Sequence, residues 1–295
     1  MITCTNSGEN MIQKFVFEHS QMGPSVLILG AIHGNEVAGP IALQRLIEDI
    51  TSGKVVLKKG RLTLVPVCHE QANRQNVRQI DENLNRVMHP HKNPQTCEQK
   101  LANELCPLIE QHDILLDLHS THCQGDMPFA FCDYPLLKNV KIIDVLDVDY
   151  VLLGWPEIYQ AGTEISDYST ERYAYECHRA GITLECGYHK EPKAAEVAYK
   201  AVLNVLAMLG MIDGNTPLSR VKTFIRLTSY IVKKKAGQLC QNYKHLDVVR
   251  QGQKIAEYDD GEVLYAPCDG YILLPNVNAV IGAEWYYLGV KDVMQ

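Results

Sequence analysis

The stretch Ser25-Val26-Leu27-Ile28-Leu29-Gly30-Ala31-Ile32-His33-Gly34-Asn35-Glu36 decides how the rest of the chain reads. Residues 25–30 form a continuous apolar run, the pattern of a parallel strand covered on both faces. The run breaks into a glycine-bearing turn that presents a histidine and, three residues later, a carboxylate. From Glu36 to Ile50, apolar side chains at Val37, Ile41, Leu43, Leu46, Ile47 and Ile50 follow a helical period. Thr51-Ser52-Gly53 ends that helix. A strand, a turn bearing two metal-ligand side chains and a helix therefore follow one another without a gap.

Outward from this unit the alternation continues. Residues 13–17 read as a short strand, Gly23-Pro24 as a turn and residues 62–67 as the next strand. Residues 68–94 are polar and rich in Asn, Arg and His, and so long a loop in a compact domain is more often functional than idle. Helices are expected over 96–112, 136–146, 167–179 and 194–209, and strands over 113–118, 129–131, 150–153 and 182–186. This order predicts an α/β fold whose mainly parallel sheet is flanked by helices. After Pro217 the pattern changes to short strands over 221–232, 254–257, 263–265, 271–274 and 286–290, split by Gly, Pro, Asp and Asn. Two domains are expected, 1–217 and a small all-β domain over 218–295.

Composition narrows the function classes. The 295 residues carry a formal charge of −7, which argues against a nucleic-acid binder with its basic face. The Lys233-Lys234-Lys235 run reads as a solvated face. No apolar run approaches the roughly 18 residues of a spanning helix, so no membrane partner is expected. Ten cysteines are scattered without a CxxC pair, and the first ten residues lack the basic and apolar regions of a secretion signal. Reduced thiols and a cytoplasmic location are expected.

The chemistry gathers at strand ends. A hydrolytic zinc site takes three His or carboxylate ligands and keeps one position for water. His33 and Glu36 supply two ligands. The third should come from another strand end, where open α/β sheets place their sites. Leu115-Leu116-Asp117-Leu118-His119-Ser120-Thr121-His122 offers His119, with Asp117 two residues back on the same strand face as a candidate orienter. Either histidine alone could simply be a polar residue closing a strand. His122 is a rival ligand, lying past the strand end. Glu185 sits in Gly181-Ile182-Thr183-Leu184-Glu185-Cys186-Gly187, where a charge is costly unless paired or functional, and it fits the carboxylate that moves the proton of the attacking water. The long loop holds Arg78-Gln79-Ile80-Asp81-Glu82-Asn83-Leu84-Asn85-Arg86, whose two arginines suit an anionic substrate or an oxyanion. Tyr168 and Arg172 stand at helical i,i+4 spacing and read equally well as a surface helix or a substrate contact.

The ordered set HGNE, RxxDxNLNR, DLHS and LECG resembles the succinylglutamate desuccinylase and aspartoacylase family, zinc deacylases with a carboxypeptidase-A-like fold whose sheet is mixed and mainly parallel. The resemblance implies one zinc per chain on His33, Glu36 and His119. It implies that Arg78 polarises the scissile carbonyl, that Asn85 and Arg86 hold the substrate carboxylate, and that Glu185 is the general base and acid. Tyr168 and Arg172 look like the Tyr-x-x-x-Arg of aspartoacylases, in which the arginine takes the substrate's side-chain carboxylate. The chain departs from the family where Cys186-Gly187 replaces a Val-Gly-Pro, and where no Asn-Pro precedes the arginine loop. Tyr265-Ala266-Pro267-Cys268-Asp269-Gly270 resembles the pattern of lipoyl-like β-sandwiches that cap the site in this family, without a carrier lysine. The implied reaction is hydrolysis of a small anionic N-acyl amino acid. A zinc metallocarboxypeptidase, a deacylase of a larger acylated partner and a non-catalytic metal- or ligand-binding module are the rival readings. A homo-oligomer is compatible with the sequence.

Overall fold

The computed structural model describes residues 2–5, 11–159, 168–216 and 220–292. The backbone divides into two compact units, one of residues 1–149 and 164–222, the other of 150–163 and 223–295. The boundary expected at 217 falls outside the described residues.

In the first unit, β1 (Ile2–Thr5) and β2 (Lys14–Glu18) lead into β3 (Ser25–Gly30) and α1 (Ala38–Thr51). Then come β4 (Arg61–Val65), α2 (Glu70–Gln75), a 3-10 turn over Leu84–Arg86 and α3 (Cys97–Glu110). β5 (Ile114–Thr121), β6 (Phe129–Phe131) and α4 (Leu137–Val145) follow. After the segment that belongs to the other unit come α6 (Thr170–Glu176), β8 (Ala180–Tyr188) and α7 (Pro192–Met208). The other unit's segment supplies β7 (Tyr150–Leu153) and α5 (Trp155–Tyr159).

The sheet of the first unit runs β1-β2-β4-β3-β5-β8-β6. Its centre, β4, β3, β5 and β8, is parallel, and its margins β2 and β6 pair antiparallel. The sheet is therefore the mainly parallel, mixed one that was expected, with its parallel strands at the centre. All eight residues of β5 are buried, because helices cover both faces. α7 contacts both α1 and α4, and all three pack on the sheet on one side, while α3 and α6 pack together on the other. The core over α3 gathers Leu27, Leu29, Leu84, Leu101, Leu105, Leu115 and Tyr173. Burying a side chain of this size contributes ~1.5–3 kcal/mol, so these few positions decide which face of each strand points inward.

The second unit pairs β7 parallel with β9 (Thr223–Val232). It continues with β10 (Gly237–Leu239), β11 (Asp247–Val249), β12 (Lys254–Tyr258), β13 (Val263–Tyr265), β14 (Gly270–Leu273) and β15 (Glu284–Asp292). β9, β15, β14 and β11 form an antiparallel run, and β10, β12 and β13 a separate three-stranded sheet. Its core is aromatic, with Trp285, Tyr286, Tyr258 and Tyr243 around Ile255 and Ile272. Besides the strands, this unit holds the short helix α5, which the sequence pattern does not announce.

Candidate functional site

The carboxyl ends of β3 and β5 lie side by side, with Gly30 opposite Leu118. The turn after β3 begins with Ala31 at φ 48, a conformation that costs an ordinary residue about 1–3 kcal/mol and collects at functional sites. Gly34 lets α2 approach that turn: a Cβ there would stand 2.3 Å from the carbonyl carbon of Ala72. His33, Glu36 and His119 are all buried, and one donor atom from each lies within 4.8 Å of the others. His122, beyond the end of β5, does not belong to this group.

The hydrogen bonds fix how the group is presented. His33 Nε2 meets Asn83 Oδ1 at 3.0 Å, and His119 Nε2 meets Asp117 Oδ2 at 3.0 Å. A bare carboxylate oxygen can only accept, so the Asp117 contact places a hydrogen on Nε2 of His119; Asn83 Oδ1 does the same for His33. The two Nδ1 atoms then turn toward Glu36, at 2.8 Å from Oε1 for His33 and 2.9 Å from Oε2 for His119. Nitrogen lone pairs facing a carboxylate repel it unless a proton or a cation lies between them. The donor set and its outer hydrogen bonds therefore fit a metal ion. Thr170 Oγ1 donates to the same Asp117 oxygen at 2.6 Å, which ties the first residue of α6 to the site. The expected orienting role of Asp117 has this geometry behind it.

Without a cation, protons fill the gap unevenly. Burial opposes a charge on His119, but the Asp117 and Glu36 carboxylates outweigh it and raise its pKa well above the ordinary value. Burial and the Arg78 charge lower His33 to about 4. Burial works against an ionised Glu36, yet the two imidazoles hold it well below the usual carboxylate range.

Two further groups face this cluster. Glu185 on β8 is the cross-strand partner of His119. Its Oε2 is buried and has no hydrogen-bond partner among the described residues. Burial, then the negative charge of Glu36, push its pKa up to about 8, against the pull of His119 and Arg78. Arg78 donates from one guanidinium nitrogen to Glu36 Oε1 at 3.0 Å, while its side chain stays about half exposed, at 48%. Its backbone carbonyl accepts from Gly34 N–H at 3.0 Å, joining the arginine loop to the histidine turn.

The remaining expected contacts stand around the 3-10 turn. Asn85 Oδ1 accepts from the Thr170 N–H at 2.9 Å, and Arg86 donates to the Asn85 carbonyl at 3.0 Å. Val87 and Tyr168 form a parallel bridge, so this turn and the start of α6 are one piece. Tyr168 lies before α6, whose N-cap is Ser169, and the expected helix over 167–179 is shorter. The i,i+4 spacing is therefore not helical, yet the Arg172 guanidinium sits 4.3 Å from the centre of the Tyr168 ring. Arg172 also donates to Glu176 at 2.8 Å.

Sequence reasoning passed over Asn83, Thr170 and the Ser120 N–H, which donates to Glu36 Oε2 at 3.1 Å. Asn83 stood inside a quoted motif, but nothing in its spacing ties it to a histidine fifty positions away. Among the described residues, nine cysteines are free thiols, and no helix is long and apolar enough to cross a membrane.

Fold and site together define an α/β protein with a buried His-Glu-His metal-binding group at the carboxyl ends of parallel strands. A family profile described as "Succinylglutamate desuccinylase/Aspartoacylase catalytic domain" matches residues 22–209. The chain belongs to that family of deacylases. A succinylglutamate desuccinylase of Vibrio cholerae serotype O1 is 26% identical over 226 residues, 71% of this chain and 63% of that protein. The match thus spans less than two thirds of the relative's length. Among solved structures, a succinylglutamate desuccinylase/aspartoacylase from Rhodobacter sphaeroides aligns with TM-score 0.77 and 17% identity, over 96% of this chain and 90% of its own. The product-bound ectoine utilization protein EutE from Ruegeria pomeroyi aligns with TM-score 0.77 and 20% identity, over 98% and 94%. At these identities the likeness establishes the shared fold.

Proposed function

We propose that the protein is a zinc-dependent amidohydrolase that cleaves the amide bond of a small anionic N-acyl amino acid. The observation that carries this is the unpartnered buried oxygen of Glu185, opposite His119, beside a His-Glu-His group whose donor atoms could hold a metal ion. His33 and His119 through Nδ1, and Glu36 through its carboxylate, would hold one zinc per chain. The bound ion would supply a water acidified toward pKa ~7 and a Lewis acid for the carbonyl oxygen.

The chain's own groups do the rest. Glu185 accepts the proton of the attacking water and returns it to the leaving nitrogen. Its raised pKa suits both halves of that task near neutral pH. Arg78 is always charged, and its half-exposed guanidinium can leave Glu36 to stabilise the oxyanion that develops on the acyl oxygen. Asn85 and Arg86 hold the substrate carboxylate from the adjoining turn, and Tyr168 with Arg172 bind a second acidic group. The protein works in the cytoplasm.

Release of free amine from N-acetyl- and N-succinyl-amino acids, measured against a set of short peptides with the zinc-loaded protein, tests this reading. Turnover of the acyl amino acids with little on peptides supports it. Turnover of peptides alone makes the protein a carboxypeptidase, and no turnover with zinc bound makes it a binding module.

A further inference from the structure

Behind the arginine loop lies a buried pair that the proposed reaction does not use. Glu98, in the first turn of α3, and His69, the N-cap of α2, are both wholly buried. A buried carboxylate costs several kcal/mol unless it is well paired. Glu98 Oε1 takes His69 Nε2 at 2.9 Å, the Ile80 N–H at 2.7 Å and the Asp81 N–H at 3.2 Å. Its Oε2 shares the Asp81 N–H at 3.3 Å. The Ala72 N–H donates to His69 Nδ1 at 3.5 Å, so the ring hydrogen sits on Nε2 and points at Glu98. With Cys97 these residues have the types of a metal site, but His69 Nε2 and Glu98 Oε1 bond to each other and Cys97 Sγ donates to Gln71 Oε1 at 3.7 Å.

The consequence is a backbone pinned from two sides. The carbonyl of Arg78 is held by Gly34 of the histidine turn, and the N–H groups two and three residues later are held by Glu98. Asp81 adds a bond from its carboxylate to the Cys97 N–H at 2.9 Å. The substrate-carboxylate end of the loop has its own anchors, the buried Leu84 and the Asn85 bond to Thr170. Glu98 therefore acts on the Arg78 end rather than on the Arg86 end.

We propose that Glu98, together with His69, is a positioning residue for Arg78, fixing residues 78–81 so that the guanidinium meets the developing oxyanion. This rests on the deacylase reading. A misplacement of about 1 Å far from the chemistry can cost on the order of a hundredfold in rate. The pair thus sets kcat more than KM.

The test uses Glu98→Gln in the zinc-loaded full chain. Amide hydrogen exchange should quicken about tenfold or more in peptides covering 78–82 and stay unchanged in those of α1 and α7. For the N-acyl amino acid that the wild type turns over best, kcat should fall about tenfold to a hundredfold with KM within about threefold. In an Arg78→Ala background the same substitution should cost less than about twofold, because the group it positions is gone. Unchanged exchange over 78–82, or an equal cost in both backgrounds, overturns the proposal. If Glu98→Gln unfolds, His69→Asn keeps an N-cap acceptor and removes one donor to the carboxylate. It should give the same pattern at smaller size, and unaltered exchange and kcat in it overturn the role of the pair. A wild type that releases no amine is a failure of the deacylase reading, and exchange over 78–82 then decides whether Glu98 holds the loop.

Discussion

Glu36 is a crowded carboxylate, taking two imidazoles, the Arg78 guanidinium and the Ser120 N–H. On the proposed reading Glu36 is a zinc ligand that also anchors an arginine, and so keeps Arg78 near the metal without making it a ligand. Arg78→Ala should therefore leave zinc content at one per chain and lower kcat about a hundredfold or more, checked by metal analysis beside initial rates. The pH profile belongs to Glu185. Its folded pKa is raised to about 8 in the metal-free protein, so it is protonated and useless as a base below that value. A bound cation favours the carboxylate and draws the pKa down. kcat/KM should rise with pH along an acid limb lying below 8, and Glu185→Gln should remove that limb; a profile flat from pH 4 to 8 would contradict the assignment. The candidate site residues were legible because each is costly where it stands: a histidine or carboxylate in or just past the end of a buried apolar run. Asn83, Thr170 and Glu98 were not legible, because their partners are distant in sequence and their types are ordinary in a polar loop or at a helix start.

At the scale of elements, the loop over 68–94 is a strapped structure, with α2, a 3-10 turn and several carboxylate-to-backbone bonds. Its polar composition hid this, since the hydrophobic period that reveals helices needs more length than α2 offers. The helix expected over 36–50, the strand over 113–118 and the strand over 182–186 have counterparts in α1, β5 and β8, because long apolar runs leave few alternatives. The small strands β10 and β11 carry no such signal, because Gly237-Gln238-Leu239 and Asp247-Val248-Val249 are short and begin with Gly or Asp, whereas the equally short β6 and β13 are wholly apolar or aromatic. α6 depends on its cap: Ser169 accepts from the Arg172 N–H at 3.1 Å. Ser169→Ala should cost ~1 kcal/mol and loosen the start of the helix that carries Arg172, read from the urea midpoint. In the second unit, burial lowers His245 to about 3, and its Nδ1 accepts from the Leu274 N–H at 3.1 Å. A folded pKa below the unfolded value means that stability is whole above pH ~6.5 and is lost as pH falls toward 3, by about 1.4 kcal/mol per pH unit. Both tryptophans, Trp155 and Trp285, lie in this unit, so their fluorescence in urea follows it alone. His245→Asn should flatten that pH dependence.

For the whole molecule, metal binding and folding are coupled on the proposed reading. His33 and Glu36 follow β3 and His119 lies on β5, so a cation shared among them ties two central strands and the turn between sheet and helix. At a hundredfold excess over its dissociation constant, zinc should stabilise the chain by about 2.7 kcal/mol, and chelation should reverse both this and any activity. His119→Ala should lose the shift in melting temperature. The central claim joins the metal group to Glu185 in one reaction. It is tested most directly by amine release from anionic N-acyl amino acids with zinc-loaded wild type and zinc-loaded Glu185→Gln, side by side. The account predicts turnover by the wild type and, with one zinc still bound, a loss of about a hundredfold or more in the variant. Turnover by Glu185→Gln equal to that of the wild type, or a zinc-loaded wild type that releases no amine, would contradict it.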